Sequence, residues 1–219
     1  KFARSLLGAG LITASCFSTS AYADAQKDFN ISFSPDGQKM VYYSYRGKAL
    51  PDIFISSSDG ENERHLTNTE ELWEIQPDWS PDGRFIAFSA GPSMKELEIY
   101  SVRPDGSDLK QLTDGDGSAV NIVWHPSRHA LIYSCYQGEQ GADIYYLDLK
   151  SGREPQLKIK VDDKYHSAIW SNDEQRIAFV RKTDDASEII IADPHITHVH
   201  PLSLDGHSPQ MVTWAPDDK

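Results

Sequence analysis

Cysteine is scarce in this chain of 219 residues, which contains only Cys16 and Cys135. Cys16 lies in an amino-terminal segment that we expect to be removed, and a single remaining thiol cannot form an intramolecular disulfide. The sequence therefore excludes a small scaffold held together by disulfides. We expect Cys135 to be a buried residue of a strand.

Basic residues are outnumbered, with 21 Lys and Arg against 33 Asp and Glu and a formal net charge of −12. The field of such a chain repels phosphate backbones and anionic lipid. We therefore expect no nucleic-acid partner, whereas a cationic or neutral protein is easier to accommodate.

Long apolar runs are missing except at the amino terminus. Lys1 and Arg4 precede an apolar stretch over 6–14, and Ala21 and Ala23 supply small residues at a cleavage site. This pattern predicts a signal peptide at 1–23, export to the periplasm and a soluble mature chain. A transmembrane anchor is disfavoured because about 20 apolar residues are needed to span a bilayer. Lipid attachment at Cys16 is the remaining alternative.

Motifs of catalysis are missing too. The chain has no Gly-x-Ser-x-Gly turn, no phosphate-binding loop and no helical zinc motif. The acidic segment 114–117 lacks the full ligand pattern of a calcium loop. We predict no catalytic residue and no cofactor.

The chain contains instead one sequence pattern that repeats along its length. An aromatic residue, a turn and an apolar run recur at steps of 46, 45, 46 and 44 residues, and four of the five tryptophans fall on the aromatic position. A second column of isoleucines recurs at steps of 46, 45 and 45 residues. A period in the forties built from short strands is typical of β-propeller blades. The two columns are Phe33, Trp79, Trp124, Trp170 and Trp214, and Ile53, Ile99, Ile144 and Ile189.

Each repeat reads as four short strands. The Ser-Pro-Asp-Gly turn at 80–83 suits a tight hairpin, since Pro fixes φ, Asp bonds the nearby backbone and Gly accepts a left-handed conformation. Arg128 and Glu174 replace the turn glycine in the third and fourth repeats, which predicts looser turns or turns of another type there. No segment shows helical periodicity. The predicted fold class is all-β, a β-propeller of four-stranded antiparallel blades.

The repeat boundaries divide the chain into a signal peptide and a partial propeller at 24–219. The blades are placed at about 30–67, 68–113, 114–158 and 159–204, with the start of a fifth at 205–219. Four and a fraction blades would leave two faces bare, at a cost of roughly 10 kcal/mol each. We therefore expect a fragment of a six- or seven-bladed propeller that is a monomer when full length.

The repeats resemble those of the TolB-type, or WD-like, propeller family over residues 30–219. The second repeat matches best, with Trp79-Ser-Pro-Asp-Gly83, Ile99-Tyr100, Asp105-Gly106 and Leu112-Thr113. Because the repeats begin soon after the predicted cleavage site, we expect the likeness to be to the propeller of TolB without the mixed α/β domain that precedes it there. The resemblance implies a periplasmic scaffold that binds other envelope proteins.

Two enzymatic alternatives stay open. The first is the propeller of an exported prolyl-oligopeptidase-type hydrolase, whose catalytic residues would lie in another domain. The second is a metal-dependent enzyme like oligogalacturonate lyase, because some relatives with this propeller use metal-bound histidines. His195, His198 and His200 are the candidate ligands, and two of them are two residues apart and would share one face of a strand. An exposed outer strand explains the same residues without a metal.

The candidate partner-binding residues are Trp73, Glu74, Tyr165 and His166. In a propeller, the connections between the second and third strands and between blades share one face, and here they are long and irregular. Varied loops on a rigid scaffold are where binding usually resides. Trp73 is the one tryptophan outside the anchor column, and Tyr165 and His166 occupy nearly the same place two repeats on. Exposed aromatic residues suit a protein or peptide anchor, whereas the alternative is aromatic packing within the loops.

Overall fold

The computed structural model describes residues 28–127, 129–138, 140–150, 156–159, 164–182, 187–194, 196–202, 209, 212–215 and 217. The predicted signal peptide at 1–23 lies outside these residues. Every regular element in the described part is a β-strand, and the strands form four sheets of four strands each. No helix capable of crossing a membrane occurs among the described residues.

Each sheet is an antiparallel meander of consecutive strands. The first contains β1 (Asp28–Phe33), β2 (Lys39–Ser44), β3 (Asp52–Ser57) and β4 (Arg64–His65). The second contains β5 (Trp73–Trp79), β6 (Ile86–Gly91), β7 (Glu98–Val102) and β8 (Lys110–Gln111). The third contains β9 (Ser118–Trp124), β10 (Ala130–Gln137), β11 (Gln140–Asp148) and β12 (Gln156–Ile159). The fourth contains β13 (Lys164–Trp170), β14 (Ile177–Lys182), β15 (Ser187–Ala192) and β16 (Val199–Leu202).

The four sheets are successive blades of a β-propeller, so the predicted fold class is confirmed. The anchor tryptophans fill the seams between blades. Trp79 packs in one core cluster with Val41 and Ile53 of the preceding sheet, and Trp124 packs with Ile99 in the same way. Phe33, at the corresponding position of the first sheet, is exposed. Burying an aromatic side chain of this size stabilises the fold by roughly 3 kcal/mol or more.

The Ser-Pro-Asp-Gly turns work as the sequence predicts. In the first, the Ser34 hydroxyl donates to Asp36 Oδ1 at 2.6 Å, and the same oxygen accepts from the amide of Gln38 at 3.0 Å. Gly37 takes a left-handed φ of 68°, a conformation that costs glycine little. The aspartate side chain and the glycine therefore close the hairpin together.

The turn of the fourth blade corrects one expectation. Glu174 stands where glycine is expected, yet its φ is 61° and its amide donates to the Ser171 carbonyl at 3.0 Å. The turn keeps the geometry of the glycine-containing ones, so the prediction of a looser or different turn there is wrong. The Glu174 carboxylate accepts a 2.6 Å hydrogen bond from the Ser127 hydroxyl of the third blade, which offsets the cost of the left-handed backbone. Arg128 lies outside the described residues.

Candidate partner-binding face

We call the end of the propeller that carries segments 45–51, 66–72, 92–97 and 112–117 the loop-rich face. Because strands alternate in direction, the connections between second and third strands and the connections between blades all reach this end. The opposite end carries the Ser-Pro-Asp-Gly hairpins, and we call it the turn face. The predicted binding residues belong to the loop-rich face.

Trp73 and Glu74 begin β5 rather than lying in a loop, since Trp73 is paired with Gly91 and Glu74 with Ala90 of β6. The Trp73 side chain is half-buried. The Glu74 side chain is only 3% exposed, so it lies beneath the surface of this face, whereas part of the Trp73 side chain is exposed. A rigid strand, and not a mobile loop, thus holds the predicted anchor.

Trp73 ends a row of aromatic side chains that joins the first two blades. Its ring meets Tyr45 edge-on with centroids 6.4 Å apart, and Tyr45 meets Phe29 edge-on at 6.2 Å. Phe29 stacks on Tyr43 at 5.1 Å. We call these four residues the aromatic row. Edge-on and stacked pairs of this kind add roughly 0.5–1.5 kcal/mol each beyond area burial, which fixes the ring of Trp73 in place.

A buried polar network lies beside the aromatic row. Asp52 is only 1% exposed. Its carboxylate forms an ion pair with Lys48 Nζ at 2.6 Å and accepts a hydrogen bond from the Thr69 amide. Lys48 Nζ also donates to Asn68 Oδ1 at 2.7 Å. The lysine therefore compensates the buried carboxylate and ties the β2–β3 connection to the connection between blades.

Glu74 is linked to the same network through a threonine. The Thr67 hydroxyl donates to Glu74 Oε2 at 2.6 Å and accepts a hydrogen bond from the amide of Ile53 at 2.9 Å. Burial raises the pKa of Glu74 to about 7; the Thr67 hydrogen bond opposes this shift, and the negative charge of Asp52 adds to it. The carboxyl is thus poised between its neutral and charged forms near neutral pH.

The second blade has a related arrangement in which the threonine bonds a different acid, the one directly before the isoleucine. The Thr113 hydroxyl bonds Glu98 Oε2 and accepts from the Ile99 amide at 2.9 Å, and burial raises the pKa of Glu98. Sequence reasoning missed this feature, although its signal was present. An acidic residue directly precedes each isoleucine of the second column: Asp52, Glu98, Asp143 and Glu188.

Tyr165 and His166 lie in β13, paired with Arg181 and Val180 of β14. Tyr165 precedes its anchor tryptophan by the same five residues that separate Glu74 from Trp79. In the described part of the chain, β13 and β5 do not contact each other. The structure thus places the two predicted pairs on the same face but in separate blades.

The histidine-rich segment does not assemble a metal site among the described residues, where no group of three or more metal-ligating side chains is found. His198 Nδ1 lies 2.9 Å from Asp193 Oδ2, and His200 is exposed on β16 opposite Ile191. His195 lies outside the described residues. The Asp193 carboxylate also accepts from the amide of Thr197 at 3.1 Å, so it organises a turn.

The family model of the TolB beta propeller domain matches residues 23–219. Among curated proteins, the chain is similar to an uncharacterized protein of Agrobacterium fabrum, at 37% identity over 158 residues that cover 68% of this chain and 53% of that protein. It is similar to a TolB homolog of Chlorobaculum tepidum at 37% identity over 112 residues, which cover 51% and 24% of the two chains. Dipeptidyl-peptidase 5 of Porphyromonas endodontalis matches at 28% identity over 131 residues, or 58% and 18%.

Solved structures show the same fold. TolB from Acinetobacter baumannii superposes with a TM-score of 0.67 at 23% identity, covering 88% of this chain and 47% of that one. A puromycin-hydrolyzing peptidase of Mycobacterium tuberculosis gives 0.69 at 17% identity, with 86% and 32% coverage. An oligogalacturonate lyase of Vibrio parahaemolyticus gives 0.63 at 13% identity, with 88% and 57% coverage. The matched segment spans about half or less of the length of each of the three curated relatives named above.

Proposed function

Because the chain belongs to the TolB beta propeller domain family, we propose that it is a non-enzymatic scaffold of the bacterial cell envelope that binds another protein on its loop-rich face. Fold alone does not decide function, since the same propeller also occurs in peptidases and a lyase. The proposal therefore rests on one local arrangement, the aromatic row ending in Trp73.

The aromatic row has the properties of a protein-binding anchor. Trp73 and Tyr45 are half-buried, so each has surface left to bury against a partner. Their rings are held by each other and by the rigid strand β5. Tryptophan and tyrosine are enriched among the residues that dominate binding energy at interfaces, and little conformational entropy is lost when they are already fixed.

The charges around Trp73 favour a cationic partner segment. Exposed carboxylates of the loop-rich face include Glu70, Glu71, Asp114 and Asp116, and they outnumber its exposed Lys95, whereas Lys48 is occupied by Asp52 and Asn68. A partner that presents Lys or Arg beside an apolar side chain would gain association rate and specificity from this field.

The proposed location is the periplasm. The support is the predicted signal peptide at 1–23 together with membership of the TolB beta propeller domain family. Amino-terminal sequencing of the protein recovered from a bacterial periplasmic fraction tests this placement. Recovery of an uncleaved chain in the cytoplasm would contradict it.

Affinity capture with paired variants tests the scaffold function. The chain is immobilised and incubated with a periplasmic and detergent-solubilised envelope extract of the source bacterium, and the retained proteins are identified by mass spectrometry. We expect at least one envelope protein to be retained. Trp73→Ala should lower its affinity about thirtyfold or more, since loss of a central aromatic anchor costs at least about 2 kcal/mol.

The matched control is Leu109→Ala. Leu109 is 60% exposed and lies between β7 and β8 on the turn face, so its removal should leave binding unchanged. Equal binding by wild type and Trp73→Ala would contradict the proposal, as would equal losses in both variants.

A second candidate is the propeller of an exported peptidase. The match to dipeptidyl-peptidase 5 favours it. In such an enzyme the catalytic serine would lie in a separate domain. A natural reading frame that encodes a Gly-x-Ser-x-Gly segment, together with hydrolysis of chromogenic dipeptides by its product, would favour this candidate over the scaffold.

A further inference from the structure

A cavity of about 500 Å³ opens on the turn face at the seam between the second and third blades. It is far from the proposed partner-binding face, at the opposite end of the strands. The size is that of a site for a small molecule or a single side chain. Its principal lining residues are Asp82, Arg84, Phe85, Trp124, His129 and Lys150.

One side of the cavity is aromatic. The His129 ring lies between two other rings, 5.3 Å from the centroid of Phe85 and 5.8 Å from that of Trp124. The indole of Trp124 is fixed by a hydrogen bond from Nε1 to the Asp78 carbonyl at 3.2 Å. Burial lowers the pKa of His129, and the charges of Arg84 and Lys150 lower it further against the opposing effect of Asp82. This side therefore offers neutral, rigid rings.

The rim of the cavity carries two cations. Among the described residues, neither Arg84 nor Lys150 is within 4.0 Å of a carboxylate. The two nearby carboxylates serve their own turns instead. Asp82 Oδ1 accepts from the Ser80 hydroxyl at 2.7 Å, and Asp148 Oδ1 accepts from the Lys150 amide at 2.9 Å. The Arg84 guanidinium lies over the edge of the aromatic side, 5.7 Å from the centroid of the Phe85 ring, and neither cation is neutralised by an ion pair in the described part of a chain of net charge −12.

The neighbouring seam shows that this chemistry is not a property of every repeat. The seam between the first and second blades has a cavity of about 260 Å³ at the same place, which includes Trp79 and Lys39. Lys39 takes the repeat position of Phe85, and Arg84 takes that of His129. The second seam thus has rings at the two repeat positions that Lys39 and Arg84 occupy one blade earlier.

We propose that the seam between the second and third blades binds an aromatic carboxylate. The ring of the ligand packs against Phe85 and His129, and its carboxylate lies between the Arg84 and Lys150 side chains. Guanidinium and ammonium groups are the protein's usual partners for carboxylates. A free small acid and the carboxyl-terminal aromatic residue of a peptide share this chemistry.

Ligand-observed NMR with phenylacetate as the probe tests the proposal on the full chain. We expect phenylacetate to bind, with phenylacetamide and cyclohexylacetate each at least about fivefold weaker, since the first lacks the charge and the second the aromatic ring. Arg84→Gln and Lys150→Gln should each weaken phenylacetate binding by about threefold to fivefold. Lys39→Gln, in the first seam, is the matched control and should change nothing.

Equal binding of phenylacetate and phenylacetamide would overturn the proposal. So would an effect of Lys39→Gln as large as that of Lys150→Gln. Arg84 and Lys150 are exposed, so both variants should fold, and thermal unfolding verifies this. If one does not fold, the other still decides the outcome.

A peptide pair separates the two sources of the ligand. N-acetyl-Gly-Phe with a free carboxylate is compared with its carboxyl-terminal amide. Tighter binding of the free peptide than of phenylacetate assigns the site to a protein carboxyl terminus, and weaker binding assigns it to a small acid. Either result supports the site, whereas equal binding of the peptide acid and its amide contradicts it.

Discussion

The hydroxyl of Ser32 donates a 2.7 Å hydrogen bond to Oδ1 of Asp78 across the seam between the first and second blades. The Ser32 oxygen accepts in turn from the amide of Trp79 at 3.2 Å. Burial raises the pKa of Asp78 to about 6, although the bonds from Ser32 and the Trp79 backbone oppose the shift. A short polar chain therefore joins β1 of the first blade to β5 of the second.

Ser32→Ala should destabilise the chain by about 1–3 kcal/mol, because it leaves the half-buried Asp78 carboxylate without its hydroxyl donor. The loss should be smaller at pH 5 than at pH 8, since a protonated Asp78 needs the bond less. Urea unfolding at the two pH values measures both effects. Ser58→Ala, at an exposed serine, is the control and should change stability by less than about 0.5 kcal/mol. A Ser32→Ala cost that is the same at both pH values would contradict the role given to Asp78.

Glu74 should make the chain less stable as the pH rises from about 4.5 to about 7. Its folded pKa of about 7 lies above the ordinary glutamate value of 4.5, so the unfolded chain releases this proton first and ionisation favours unfolding. The change should be roughly 2–3 kcal/mol.

Glu74→Gln removes this titration, so the difference in unfolding free energy between wild type and variant should shift in favour of the variant over this pH range. Urea denaturation at half-unit pH steps gives the two curves. Glu71→Gln, at an exposed residue of the same face, should leave the wild-type curve unaltered. Parallel curves for wild type and Glu74→Gln would refute the prediction.

Trp124→Phe should cost about 1 kcal/mol more than Trp79→Phe. Both side chains are buried in equivalent seams, at 5% and 6% exposure, and both lose the same volume. Trp124 Nε1, however, loses its hydrogen bond to the Asp78 carbonyl, whereas Trp79 Nε1 is buried without a partner among the described residues. Removing an unpaired buried donor relieves a cost. Thermal unfolding of the two variants measures the difference, and equal shifts in Tm would count against it.

Cys135 should resist thiol reagents in the folded chain. It is buried, and burial raises the pKa of its thiol to about 11, with the charges of Glu98 and Asp143 adding to the shift. Because the thiolate is the reactive form, Ellman's reagent at pH 8 should modify it at least about a hundredfold more slowly than in urea. Cys16→Ser makes this thiol the only one to be measured. Rapid labelling of the native variant would contradict the prediction.

The architecture was predictable because each blade repeats its physical requirements. A seam is filled by an aromatic residue and a tight hairpin is closed by a Ser-x-Asp turn, and these positions recur as visible columns. The predictions that failed concern side chains that contact residues of another repeat. Glu174 keeps a glycine-like turn, and its carboxylate accepts a hydrogen bond from Ser127 of another blade, a contact that no pattern within one repeat predicts.

The candidate site was predictable in part for a similar reason. Trp73 was found because it breaks the tryptophan column. Asp52 and Thr67 escaped notice because an acid or a threonine in one repeat has no apparent role until folding brings them to Lys48 and Glu74. The cavity at Phe85 was missed because it is formed by residues of two repeats, and each residue looks ordinary within its own.

The difference between the first and second seams has a consequence for how such a chain diversifies. Each joint between blades has its own lining, although neighbouring joints share a residue such as Asp82, and the second joint has the rings of Phe85 and His129 at the repeat positions that Lys39 and Arg84 occupy one blade earlier. A single molecule can in this way present a different recognition surface at every joint around its circumference, while the scaffold that aligns them stays unchanged.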